Sequence, residues 1–144
     1  FMPFDGNKWD KKKMVSYAEV MSLVNSEFEE SQIIRLKDAK NDTSKNYKIE
    51  GYKGSFAIIS SITNPFCDSC NRIRLTANGN IKNCLFSSTE MDLLTPLRNG
   101  EDITPLIAKK INSKHKIRGG MDTLEKLESP DLHGKNRSMI AIGG

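Results

Sequence analysis

The chain is 144 residues long, with 37% hydrophobic and 28% charged residues, a formal charge of +4 and a pI near 9.0. That length allows one domain burying roughly two thirds of its unfolded surface, and no stretch approaches the roughly 18 consecutive apolar residues of a membrane-spanning helix. Basic residues alternate with acids and aromatics make up only 7%, which argues against nucleic acid and for a small polyanionic ligand.

The opening Phe1-Met2-Pro3-Phe4 is apolar and reads as the end of a strand, after which Asp5-Gly6-Asn7 turns the chain. It has neither the charged leader nor the apolar run of a secretory signal, so it reads as a cut inside a longer protein. Ser16-x-x-Glu19 spells a capping box. Tyr17, Val20, Met21, Val24 and Phe28 then recur at helical spacing, predicting a helix with that face in the core. Residues 38–46 are polar and aperiodic, as in a loop. Segments 47–49 and 55–62 read as a hairpin around Glu50-Gly51-Tyr52-Lys53-Gly54.

Beyond Asn64-Pro65, segments 73–76 and 81–85 flank Ala77-Asn78-Gly79-Asn80, the signal of a second hairpin. Helices are expected over 90–97 and 105–116, the latter with Thr104 as N-cap and Pro105 at its first position. From Arg118 the chain is poorly periodic and ends Met139-Ile140-Ala141-Ile142-Gly143-Gly144. The expected fold class is α+β.

All three cysteines fall within 18 residues, an odd and clustered set that points to a reducing compartment and a metal or redox centre rather than disulfides. Cys67-x2-Cys70 lets two thiolates from one turn reach one centre, and the second hairpin brings Cys84 back across a gap of 13 residues. A thioredoxin-like turn needs no third thiol and should open a helix. A structural zinc needs a fourth ligand, for which only His115 and His133 are available, and both read as idle side chains. A [4Fe–4S] cluster on three cysteines keeps one iron open to act as a Lewis acid. A zinc-stabilised binding module remains the alternative. A ubiquitin-like sulfur carrier, suggested by the double-glycine end, fits the helices and the cysteine triad poorly.

Arg72 and Arg74 lie two apart in a predicted strand and project to one face, where planar guanidinium forks suit phosphate or carboxylate. With a two-residue Asn78-Gly79 turn, however, Ile73 would face Cys84, placing that cysteine on the side opposite the arginines. A bulge or a ligand wrapping the strand edge must resolve this.

Cys67-x2-Cys70-Asn71-Arg72-Ile73-Arg74, Thr76-Ala77-Asn78-Gly79-Asn80, Cys84-Leu85-Phe86 and Gly143-Gly144 together resemble the C-terminal part of the molybdenum-cofactor GTP 3′,8-cyclases, a radical S-adenosylmethionine family. The stretch from Phe1 to Trp9 and Met14-Val15-Ser16-Tyr17 resemble its eukaryotic members. The resemblance implies that 1–62 holds the end of a radical-enzyme (β/α) barrel and connecting segments, and that 63–144 is a [4Fe–4S] substrate-binding region with a double-glycine tail. It implies that Cys67, Cys70 and Cys84 ligate the cluster and that Arg72, Ile73 and Arg74 contact GTP. Met2 would lie near S-adenosylmethionine, and Gly143 and Gly144 would reach the active site.

A second [4Fe–4S] cluster needs a C-x3-C-x2-C motif, which this chain lacks, so on this reading the chain binds but does not turn over. The implied full-length enzyme is a lyase converting GTP to (8S)-3′,8-cyclo-7,8-dihydroguanosine 5′-triphosphate through a 5′-deoxyadenosyl radical that abstracts the ribose 3′ hydrogen. It would draw on an electron donor and pass its product to cyclic pyranopterin monophosphate synthase. A homodimer is compatible with it, neither nucleic acid nor membrane is expected, and the location is the mitochondrial matrix for a eukaryotic member and otherwise the cytoplasm.

Overall fold

A computed structural model describes residues 10–129, 132, 136 and 137. The expected opening strand, Met2, His133 and the terminal 139–144 lie outside the described residues. The described residues combine helices with two small antiparallel sheets, an α+β arrangement. The chain divides into two compact units, Met14–Cys70 and Asn71–Gly144 together with Phe1–Lys13.

In the first unit, helix α1 (Tyr17–Glu27) starts at the expected capping box, in which the Ser16 hydroxyl accepts from the Glu19 amide at 3.1 Å and the Ser16 amide donates to the Glu19 carboxylate at 2.7 Å. Tyr17, Val20, Met21, Val24 and Phe28 are all half-buried, as their spacing predicts, although no residue of α1 is fully buried. Strands β1 (Ile33–Arg35), β2 (Lys45–Ile49) and β3 (Ser55–Ile58) form a sheet in that order. Tyr47 and Ile49 point into its core, and Tyr47 stacks on Phe56 across the ladder with ring centroids 5.4 Å apart. β3 stops four residues short of the expectation because its last residue, Ile58, already pairs with Lys45 at the start of β2. Asn64 then donates its amide to the Ser60 carbonyl and closes a turn. No strand was expected at β1; it pairs with β2 from Ile33 opposite Ile49 to Arg35 opposite Tyr47.

The second unit holds β4 (Arg74–Leu75), β5 (Asn80–Lys82) and β6 (Met91–Asp92), with β5 central. Part of the helix expected over 90–97 is instead β6, since Met91 pairs with Ile81, and helix α2 (Leu94–Arg98) begins only after it. The Asp92 carboxylate starts α2 by accepting from the amides of Leu94 and Thr95. Helix α3 (Thr104–Asn112) starts one residue early, with Pro105 at its second position: Ile103 rather than Thr104 holds the cap position, and the Asp102 carboxylate accepts the Thr104 amide at 2.9 Å. A short helix α4 (Leu124–Glu128), capped by Thr123, occupies a stretch whose sequence gives no period. Ile81, Phe86, Leu93, Met121 and Leu127 form the buried apolar set. Among the described residues, no helix is long and apolar enough to cross a membrane.

Candidate functional site

Cys67 and Cys70 flank a single 3-10 turn, closed by the Cys70 amide on the Cys67 carbonyl at 3.1 Å. Cys70 itself is extended, so the turn leads away from a helix rather than into one. Cys84 follows β5 in the other unit, where a turn is closed by the Ser87 amide on the Cys84 carbonyl. All three are half-buried. Among the described residues, no three His, Cys, Asp or Glu side chains form a group arranged to hold a metal ion. The donor set still fits an iron–sulfur cluster in chemistry: three thiols, two of them on a turn short enough to serve one centre.

The β4–β5 hairpin resolves the facing problem. Arg74 pairs with Lys82 and Leu75 with Ile81, one residue out of phase with a two-residue turn. The connection is longer: Gly79 donates its amide to the Thr76 carbonyl and sits at φ +80°, and the Asn80 amide is taken by the Thr76 hydroxyl rather than by its carbonyl. This is a three-residue loop with a left-handed glycine, a hairpin form that carries a bulge. A β-carbon at Gly79 would stand 2.4 Å from the Leu94 β-carbon, so the position is closed to other residues by both conformation and space. Paired residues share a face, and the same alternation continued past the strand ends sets Arg72 and Cys84 on the side of Arg74 and Lys82. Ile73 is 47% exposed and falls on the other face.

Several side chains that the sequence did not single out surround this hairpin. Lys82 is 1% exposed and its ammonium donates to the Asn136 side-chain oxygen. Burial pushes the Lys82 ammonium below its ordinary range, while Glu90 and Cys84 pull it back. Asn136 is fully buried and returns a hydrogen bond to the Leu85 carbonyl at 3.0 Å. Lys114 donates to the Arg72 carbonyl at 3.0 Å. The Arg137 guanidinium holds Glu90 through both carboxylate oxygens and reaches Asn78 in the hairpin loop at 3.1 Å. That contact lowers the Glu90 carboxyl against the cost of burial.

Arg118, Gly119 and Gly120 form a loop with three positive φ angles against the backbone that follows Cys84, and a β-carbon at Gly119 would lie 2.7 Å from the Ser87 nitrogen. Arg118 is buried and donates to the carbonyls of Met121 and Asp122. His115 is exposed, as expected. Nothing in the sequence marks Lys82 or Asn136 as buried, because their partnership spans 54 residues.

Residues 1–119 match the family described as Molybdenum Cofactor Synthesis C. Across the whole chain it is 44% identical to the protein named GTP 3′,8-cyclase, mitochondrial, of Arabidopsis thaliana, covering 35% of that relative. Similarity to molybdenum cofactor biosynthesis protein 1 of Homo sapiens is 37% over 99% of this chain and 21% of the relative. The GTP 3′,8-cyclase of Rhodopirellula baltica is 34% identical over all of this chain and 40% of the relative. The chain thus spans well under half the length of these relatives. With the cysteine and arginine pattern on one side and these matches on the other, the chain belongs to the Molybdenum Cofactor Synthesis C family.

Proposed function

We propose that this chain is the substrate-binding, cluster-carrying portion of a GTP 3′,8-cyclase, the enzyme that forms (8S)-3′,8-cyclo-7,8-dihydroguanosine 5′-triphosphate in molybdenum cofactor biosynthesis. The observation that carries the reading is the phase of the β4–β5 hairpin, which pairs Arg74 with Lys82 and extends to Arg72 and Cys84. A ligand seated on that face meets guanidinium forks suited to phosphate oxygens. It also lies on the side of one of the three thiolate donors.

Cys67, Cys70 and Cys84 would hold a [4Fe–4S] cluster. When bound, the cluster supplies an open iron as a Lewis acid toward the guanine. Arg72 and Arg74 neutralise and orient the nucleotide, Ile73, whose side chain lies on the other face, would reach it through its backbone alone, and Lys114 fixes the backbone from which Arg72 projects. Holding base and ribose in one geometry is worth several kcal/mol of barrier. The remainder of the enzyme, a barrel whose end lies within 1–62 with Met2 near S-adenosylmethionine, would bring the second cluster, the reductant's electron and the radical chemistry, so the isolated chain would be inactive. Gly143 and Gly144 would enter the reaction cavity, where only residues without a β-carbon fit. The product would go to cyclic pyranopterin monophosphate synthase. The Arabidopsis relative is named mitochondrial, and on that basis the mitochondrial matrix is the proposed location.

The test is anaerobic reconstitution of the full-length enzyme followed by GTP titration. Cys67→Ser, Cys70→Ser and Cys84→Ser should each lose iron from this site, whereas Arg72→Ala with Arg74→Ala should keep the iron and weaken GTP at least tenfold, the scale of one lost charge-assisted pair. Unchanged GTP affinity in the double variant would return the arginines to a solvated strand face. One tightly bound zinc in place of iron and sulfide would replace the cluster with a structural metal.

A further inference from the structure

Residues 136 and 137 are held at four points by β5 and the loops that flank it. Asn136, fully buried, bridges the Lys82 ammonium and the Leu85 carbonyl. Arg137 grips Glu90, directly before β6, and the Asn78 side chain in the hairpin loop. Asn80 adds a hydrogen bond to the same Glu90 carboxylate at 3.1 Å. These partners belong to the hairpin loop, to β5 and to the segments just after Cys84 and before β6. A chain end drifting over the surface would not bury an asparagine completely or give a buried ammonium its acceptor, since such a group is costly to leave unmatched.

We infer that Asn136 and Arg137 are positioning residues: a clasp that fastens the chain to the β4–β5–β6 sheet and sets the point from which residues 138–144, with Gly143-Gly144 among them, continue. Seven residues reach at most about 25 Å when extended, so the origin of the segment decides what its end can touch. That origin lies beside the hairpin that carries Arg74 and leads to Cys84. The clasp rests on the tail role proposed above, and it adds the residues that aim the tail.

Asn136→Ala would strand a buried ammonium and risk general unfolding, so the primary variant is Glu90→Gln, which keeps shape and the hydrogen bond to Asn80 while releasing the charge on Arg137. In the full-length enzyme, trypsin should then cut after Arg137 about tenfold faster than in the parent, because cleavage follows the population of the opened segment. Mass spectrometry reads the released peptide that begins at Ser138, and cleavage at exposed lysines such as Lys53 should be unchanged. Equal rates after Arg137 would overturn the clasp. Product formation is measured alongside in Glu90→Gln, in an enzyme lacking Gly143 and Gly144, and in the combination. A clasp that works through the tail makes the combination no worse than the poorer single variant, whereas losses that multiply assign Glu90 and Arg137 a separate structural role. Full activity on deleting the two glycines would sink the tail role alone, and the tryptic rate would still decide whether the segment is clasped.

Discussion

Tyr47 shows how a single side chain can record the integrity of the first unit. The residue is 6% exposed, its hydroxyl hydrogen-bonds to that of Tyr17, and the Arg35 guanidinium sits 4.9 Å above its ring centroid. Burial first, and the Tyr17 hydroxyl second, push its phenol up to about 12, with Arg35 opposing. An unfolded tyrosine ionises near pH 10, so the folded chain keeps a proton that the unfolded chain loses. The stabilisation from Tyr47 is therefore complete below pH about 10 and is lost as pH rises through about 12. In an absorbance titration one phenol should ionise only as pH nears 12, and Tyr47→Phe should delete that late step. A late step surviving the substitution would assign it to another tyrosine.

At the scale of elements, turns decide more than strands do. Gly119 lies at φ +62° with the Ser87 backbone where a β-carbon would go, whereas Gly51 lies at φ +81° in open space. Gly119→Ala should cost about 3 kcal/mol, from left-handed strain of roughly 1–2 kcal/mol plus a clash that the backbone must absorb. Gly51→Ala should cost only the strain. Denaturant unfolding of the two variants measures the difference, and equal losses would remove the clash from the account.

The sequence was informative wherever a signal is local. The capping box at Ser16 and the helix face from Tyr17 to Phe28 needed only neighbours within one turn, and both hairpins announced themselves by their connections. β1 and β6 are three and two residues long, too short for alternation to register, and exist only because β2 and β5 offer them an edge. The candidate site divides the same way. The run from Cys67 to Arg74 is written in one stretch, but the phase that joins Cys84 to the arginine face depends on how Thr76 and Gly79 close the loop, and Asn-Gly alone suggests a shorter turn.

For the molecule as a whole, eight carboxylates are displaced in one direction. Glu19, Asp38, Asp42, Glu90, Asp92, Asp102, Asp122 and Glu125 are all held below their ordinary ranges, Glu19 by Ser16, Asp38 by Arg35 and Glu90 by Arg137 foremost. In acid the unfolded chain therefore takes up protons before the folded one, and stability present above the ordinary carboxylate range is lost as pH falls through the lowered values. Lys82 and Lys110, lowered by burial, act in the same direction at alkaline pH, since the unfolded chain also holds the extra proton there. The thermal midpoint should thus fall steadily from pH 5 to pH 3. A midpoint independent of pH across that interval would show that these caps and ion pairs contribute nothing to the fold.

The loop from Ala77 to Gly79 works as a parity element. Each residue gained or lost there inverts every side chain of one strand relative to the other, so a deletion of one would exchange the partner of Arg74 from Lys82 to its neighbour and turn Cys84 away from the arginines, while a change of two would restore the original facing. Length at this loop is therefore constrained modulo two, a rule that no inventory of individual residue types would reveal and that any grafting of this hairpin onto another scaffold has to respect.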